Sequence, residues 1–230
     1  MFYGIDCYYV VLVLPTFLLS AIAQIMVKST FSKYSDIPCS RKITGQDSAA
    51  LLLKSNNIPD VKIEAVGGSL TDHYDPSTKV VRLSEPVFSR NSIAAVGVAA
   101  HETGHAIQHA LSWGPLVLRS TLVPVANIGS MIGPYMAMAG LFMGIDILLN
   151  IGILLFGGAV LFYVVTLPVE FNASARALAI LESNNVLTPQ ELKGVKKVLS
   201  AAAMTYVASA LTAMMSLLRL ILLSRDRRRR

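Results

Sequence analysis

The stretch Ser92–Leu111, SIAAVGVAAHETGHAIQHAL, decides how the rest of the chain is read. Asn91 or Ser92 can cap a helix there, and the residues that follow are mostly Ala, Gly, Val and Ile. Glycine inside a helix costs up to about 1 kcal/mol relative to alanine. Gly97 and Gly104 therefore imply neighbours that approach the backbone closely, and a buried helix. Into this apolar helix are set His101, Glu102 and His105, spaced as His-Glu-x-x-His. Positions i and i+4 share a helix face, so both imidazoles can reach one tetrahedral zinc at about 2.1 Å. Glu102, one residue on, is turned aside from the ligand axis yet close enough to hold a water, as a general base must be. Unpartnered His and Glu are costly to bury, so a catalytic zinc accounts for the trio better than a satisfied core.

A catalytic zinc takes three protein ligands and keeps one position open. His109 lies four residues past His105, but ligands at i, i+4 and i+8 would spread over about 12 Å of helix. It is expected instead to support the ligands from behind, or to be simply a polar residue near the helix end. Among the glutamates, Glu64 and Glu85 lie upstream, and Glu182 and Glu191 fall in a polar, loop-like, solvated stretch. Glu170 stands apart in LPVEFNASARAL, directly after a long apolar run. A lone carboxylate at a membrane boundary calls for a cation. Arg176, six residues on, does not share its helix face, so Glu170 is the expected third ligand.

Outward from this helix the chain is apolar in blocks. Charged residues make up 15% of the 230, against roughly a quarter in soluble domains, which suggests a membrane protein. No Lys, Arg, Asp or Glu occurs from Tyr8 to Val27, from Ser120 to Ile145, or from Ile147 to Val169. Each run reaches the roughly 20 residues a membrane helix needs. A fourth run, Ala201–Leu223, is interrupted by Arg219. The first run lacks the basic start and small-residue cleavage site of a signal peptide and is expected as a retained anchor. Cys7 and Cys39 form neither a disulfide framework nor a CxxC pair. The closing RDRRRR has no aromatic interleaving or nucleic-acid motif, so lipid headgroups or solvent are its expected surroundings and nucleic acid is not a partner.

These runs divide the chain into 1–27, a transmembrane anchor; 28–119, the domain holding the zinc helix; 120–168, a transmembrane hairpin; 169–200, the third-ligand helix with a cytoplasmic segment; and 201–230, an apolar helix with the basic tail. Lys28–Lys42 reads as a linker. Thr44 with Asp47 resembles a capping box and opens a helix to about Lys54. VKIEAV, SLTDHY and KVVRLS, separated by Gly67-Gly68 and Asp75-Pro76-Ser77-Thr78, predict a small antiparallel meander. His73 and Tyr74 on it point to opposite faces, so at most one can face the zinc. His73 is the candidate to hydrogen-bond a developing oxyanion, against a plain structural bond or solvent exposure. The fold class is α+β: a small catalytic domain with a short antiparallel sheet and three to four transmembrane helices.

AAHETGHAIQHA, LTDHYDP, LPVEFNASARAL and AAAMTYVASA, in this order, resemble the bacterial YugP-type neutral zinc metallopeptidases, a family of multi-pass membrane proteins. The likeness runs from the first apolar segment to the last and leaves only the arginine tail outside. It implies a gluzincin-like domain with His101, His105 and Glu170 on Zn²⁺ and Glu102 catalytic. The HtpX and CAAX-protease-like families carry Glu-x-x-Ala-Asp at the third ligand, whereas this chain has Ser174 in place of the Asp. A neutral hydroxyl orients a ligand histidine less strongly than a carboxylate, and Asn172 or another residue is expected to take that role, the sequence leaving open which.

The expected activity is hydrolysis of peptide bonds, with a peptide or protein, including a membrane protein, as substrate. A zinc-binding membrane scaffold or chaperone-like subunit is the rival, and an intact Glu102 speaks against it. A channel or transporter is disfavoured by scarce intramembrane charge and no inverted repeat. Lys28, Lys33, Arg41, Lys42, Lys193, Lys196 and Lys197 place the catalytic domain in the cytoplasm by the positive-inside rule. The arginine tail conflicts with this if Ala201–Leu223 spans fully. The sequence sets no oligomeric state.

Overall fold

The computed structural model describes residues 6–229. They form two compact units: Ile25–Leu116 with Val169–Ala203, and Met1–Gln24 with Val117–Pro168 and Met204–Arg230.

In the first unit Thr44 caps α2 (Gly45–Ser55) through a complete capping box with Asp47. Three strands follow, β1 (Lys62–Val66), β2 (His73–Asp75) and β3 (Val80–Ser84), then the short α3 (Glu85–Phe88) and α4 (Ile93–Ala110). The sheet is mixed, in the order β1-β3-β2, which corrects the antiparallel meander. β2 and β3 are antiparallel, but β1 runs parallel to β3. Three alternating strands give a meander only if β2 lies in the middle. Here β3 takes the middle because Val80, Val81 and Leu83 are all buried, whereas His-Tyr-Asp suits an edge. Residues 67–72 make the crossover that a two-residue turn could not. Asp75 accepts from Ser77, Thr78 and Arg82 and closes the β2–β3 turn. Those bonds hold its carboxyl well below the ordinary range.

Ser92 caps α4, its hydroxyl accepting from the Ala95 amide. Val81, Leu83, Ala95 and Ala99 of the sheet and α4 share one apolar cluster with Phe31 and Val198. A second cluster joins Val96 and Ala100 of α4 to Ala177, Leu181, Val195 and Leu199. The close approach expected from glycine is present: a Cβ at Gly97 would stand 2.8 Å from Val195 and one at Gly104 2.7 Å from the Ala173 carbonyl oxygen. The expected linker from Lys28 is instead helical to Ser35, in α1 (Leu14–Ser35). Neither Gly nor Pro occurs between Lys28 and Pro38, and Phe31 is buried. Glu191 is also not solvated: it is buried, accepts from the Ser40 and Thr188 amides, and helps cap α7 (Pro189–Arg228).

The second unit is a helical bundle. Among the described residues four helices are long and apolar enough to cross a membrane: Tyr9–Ser35, Gly114–Met143, Asp146–Ser183 and Pro189–Arg228. Gly114–Met143 is α5 and Asp146–Ser183 is α6. Gly129, Gly140 and Gly152 let the α5 and α6 backbones touch, since a Cβ at any of them would collide with main-chain atoms of the other helix. Small residues at such crossings are how helices associate in lipid. Charged groups gather at one end of this bundle. Arg219 bonds Asp6 at 2.6 Å, Tyr8 donates to Asp226, and Arg227 reaches both Asp146 and the Gly140 carbonyl.

Candidate metal centre

The backbone explains how residues far apart in sequence meet. Gly104 lies on the same α4 face as His101 and His105, and its missing Cβ admits the α6 backbone at Ala173. That contact brings Glu170, one turn earlier on α6, opposite both histidines. Among the described residues His101, His105 and Glu170 form the group able to hold a metal, their ligand atoms all within 4.8 Å of one another. Glu170 Oε2 lies 3.3 Å from His101 Nε2 and 3.6 Å from His105 Nε2. Ligand atoms on a tetrahedral zinc with bonds near 2.1 Å are about 3.4 Å apart. The donor set fits zinc in type and number, and both separations to Glu170 match that spacing.

Each ligand ring is also held from behind. Ser174 Oγ lies 3.1 Å from His101 Nδ1, so the hydroxyl that stands in place of the Asp contacts one of the two histidines. His105 Nδ1 lies 3.0 Å from Gln108 Oε1. The two rings meet edge to face at 4.8 Å. Burial disfavours the charged form of His105, but the hydrogen bonds that the doubly protonated ring donates to Glu170 and Gln108, with the charges of Glu102 and Glu170, more than offset it and raise the pKa above its ordinary value. Glu102 is 8% exposed, and Glu170 2%. Glu102 sits on the same helix as both histidines but outside the ligand trio.

A family model described as "Putative neutral zinc metallopeptidase" matches residues 9–225. The chain belongs to this zinc metallopeptidase family. "Putative membrane protease YugP" of Bacillus subtilis (strain 168) is 50% identical over 205 residues, covering 89% of this chain and 91% of that protein. No solved structure matches. Zinc is thus the metal of this family member, and its four long apolar helices accord with a multi-pass membrane protein.

Other residues singled out from the sequence of this family member stand outside the trio. His73 is exposed, with Nδ1 2.8 Å from the Thr71 carbonyl oxygen. Its neighbour Tyr74 is the residue on the α4 side, its hydroxyl 2.8 Å from His109 Nδ1. Burial, with the charges of Asp60 and Asp75, pushes the Tyr74 hydroxyl up to about 12, so it stays protonated at neutral pH. Arg176 does not pair with Glu170 through its Nε, which donates instead to Asn172 at 2.7 Å. Gln108 was not anticipated. An amide on an otherwise apolar helix face was the available signal, since a buried amide must find partners.

Proposed function

We propose that the protein is a membrane-bound metalloendopeptidase in which His101, His105 and Glu170 hold zinc and Glu102 is the general base. The observation that carries this reading is the pair of 3.3 and 3.6 Å separations from Glu170 to the two imidazoles, with Glu102 buried beside them. Bound zinc supplies a Lewis acid and lowers the pKa of water. Glu102 takes a proton from the attacking water and delivers it to the leaving amine, so one carboxylate serves both steps. Its burial strengthens that exchange by excluding competing solvent. The substrate class is a peptide or protein chain, including membrane proteins.

The test is zinc content measured together with cleavage of casein or a model peptide in detergent. One zinc per chain with chelator-sensitive cleavage is expected. Zinc at full stoichiometry without any cleavage would favour a scaffold or chaperone-like subunit instead.

The orientation we propose is a cytoplasmic catalytic unit. Lys28 and Lys33 lie in the last turns of α1, Arg41 and Lys42 follow it, and Arg176, Lys193, Lys196 and Lys197 lie between 169 and 203. Against them stands the arginine tail, where Arg227 is engaged by Asp146 and Arg228 by Asn150. Cysteines placed at Ser40 and Arg229, in a background lacking Cys7 and Cys39, would be labelled from opposite sides by an impermeant reagent. Outside labelling at position 40 would reverse the assignment.

A further inference from the structure

The hydrogen bonds behind His105 run in one direction only. Gln108, fully buried, places Oε1 3.0 Å from His105 Nδ1. Its Nε2 donates to the Val169 carbonyl at 2.9 Å and to Asn172 Oδ1 at 3.0 Å. Arg176 Nε donates to that same Asn172 oxygen at 2.7 Å. Both ends of this chain are chemically one-way. A backbone carbonyl can only accept, so the Gln108 amide nitrogen must face Val169. A guanidinium can only donate, so Asn172 must present its oxygen to Arg176, and Gln108 meets that same atom. With both amide hydrogens committed, Gln108 has only an oxygen to offer His105. The imidazole must then carry its proton on Nδ1. That leaves the lone pair on Nε2, the nitrogen 3.6 Å from Glu170 Oε2.

We propose that Gln108, backed by Asn172 and Arg176, is a tautomer clamp: a positioning group that fixes His105 as a metal donor through Nε2. Assigning Nε2 to the metal rests on the zinc reading above, whereas the tautomer does not. His101 is held differently, because the Ser174 hydroxyl can donate or accept and so orients the ring without fixing its proton. The two histidine ligands are therefore unequal. The clamp also grips α6 at Val169 and Asn172, on either side of Glu170, so it ties the second and third ligands together.

The test uses full-length protein in detergent with ¹⁵N-labelled histidine, metal-free and at a pH above the titration of the rings. The ¹⁵N shifts report which nitrogen holds the proton, and His105→Asn assigns the signal. Wild type should show His105 protonated on Nδ1. Gln108→Leu should mix the tautomers and weaken zinc binding, measured by chelator competition, about 10–100-fold. Asn172→Asp keeps an acceptor for both donors and should preserve the tautomer and the zinc affinity, whereas Asn172→Leu should lose part of each. This second pair carries the test should Gln108→Leu not fold. His105 protonated on Nε2 in wild type would overturn the clamp, as would Gln108→Leu or Asn172→Leu with tautomer and affinity unchanged. Nδ1 protonation in a wild-type protein that binds no zinc would support the clamp and remove the metal reading.

Discussion

The charged pairs of the bundle and the donor trio of the other unit differ in what completes them. In the bundle, charge is matched within the chain: Arg219 with Asp6, Arg227 with Asp146. These pairs neutralise themselves and need nothing from outside. In the other unit Glu170 and two imidazoles converge on one point, and a carboxylate set among imidazole nitrogens attracts a cation. The raised pKa of His105 is the proton's share of that same attraction. Paired charges complete a structure, while a convergent donor set asks for an ion, and this separates a scaffold from a site. Glycine follows the same division. In the bundle it brings one membrane helix against another, and at Gly104 it brings a ligand helix against the helix that carries the motif.

The change expected to separate the units most sharply is Glu102→Gln. It removes the proposed base and leaves the three donors intact. Cleavage should fall by about 10²-fold or more, with zinc content near that of wild type. Activity within tenfold of wild type would take Glu102 out of the base role.

Next in size is the loss of a donor. Glu170→Ala should lower zinc occupancy to the level of His101→Ala, as measured by metal analysis after dialysis. His109→Ala, whose ring meets Tyr74 rather than the trio, should keep its zinc. Normal zinc in the Glu170 variant would mean that the convergence is structural, like the ion pairs of the bundle.

Gly104→Ala tests the packing that assembles the site. The added methyl would lie 2.7 Å from a backbone oxygen, and overpacking of this kind costs about 1–3 kcal/mol. Zinc binding should loosen with it, since α6 carries Glu170. Gly157 in the bundle has open space around its Cβ position, so Gly157→Ala should leave thermal stability and zinc affinity unchanged. Equal effects from the two substitutions would show that Gly104 matters only as a flexible residue.

What could be read from the sequence depended on how local the signal was. The zinc helix was legible because cap, spacing and apolar background all lie within twenty residues. The capping box at Thr44 was local too. Glu191 was misplaced although its signal was equally local, for Thr188 three residues earlier completes a box of the same kind. Sheet order was not legible, because which strand is central depends on burial against α4 and α1, not on the strand itself. Gln108 was the least legible. Its partners Val169 and Asn172 lie 61 and 64 residues away, and no spacing rule links an amide on one helix to a carbonyl on another.

The smallest effect is expected at His73. An oxyanion role requires its imidazole to face the reacting carbonyl, and such a donor is worth about 10²–10³ in rate. Side chains alternate across a strand, and Tyr74 is the one whose hydroxyl meets His109 on α4. His73 therefore points to the other face, where its ring is exposed and bonded to the Thr71 carbonyl. A bond two residues back along the chain shapes the approach to β2 and contributes nothing to a developing charge. His73→Ala should then change kcat by less than about threefold, well short of what a lost oxyanion donor costs, with zinc content unaltered. Tyr74→Phe probes the opposite face. It keeps the buried ring and removes the hydroxyl from His109, so any loss there should appear as a lower melting temperature before it appears in kcat. A hundredfold fall in kcat for His73→Ala, with zinc and KM intact, would mean that β2 turns over when substrate binds and that His73 does face the reacting carbonyl.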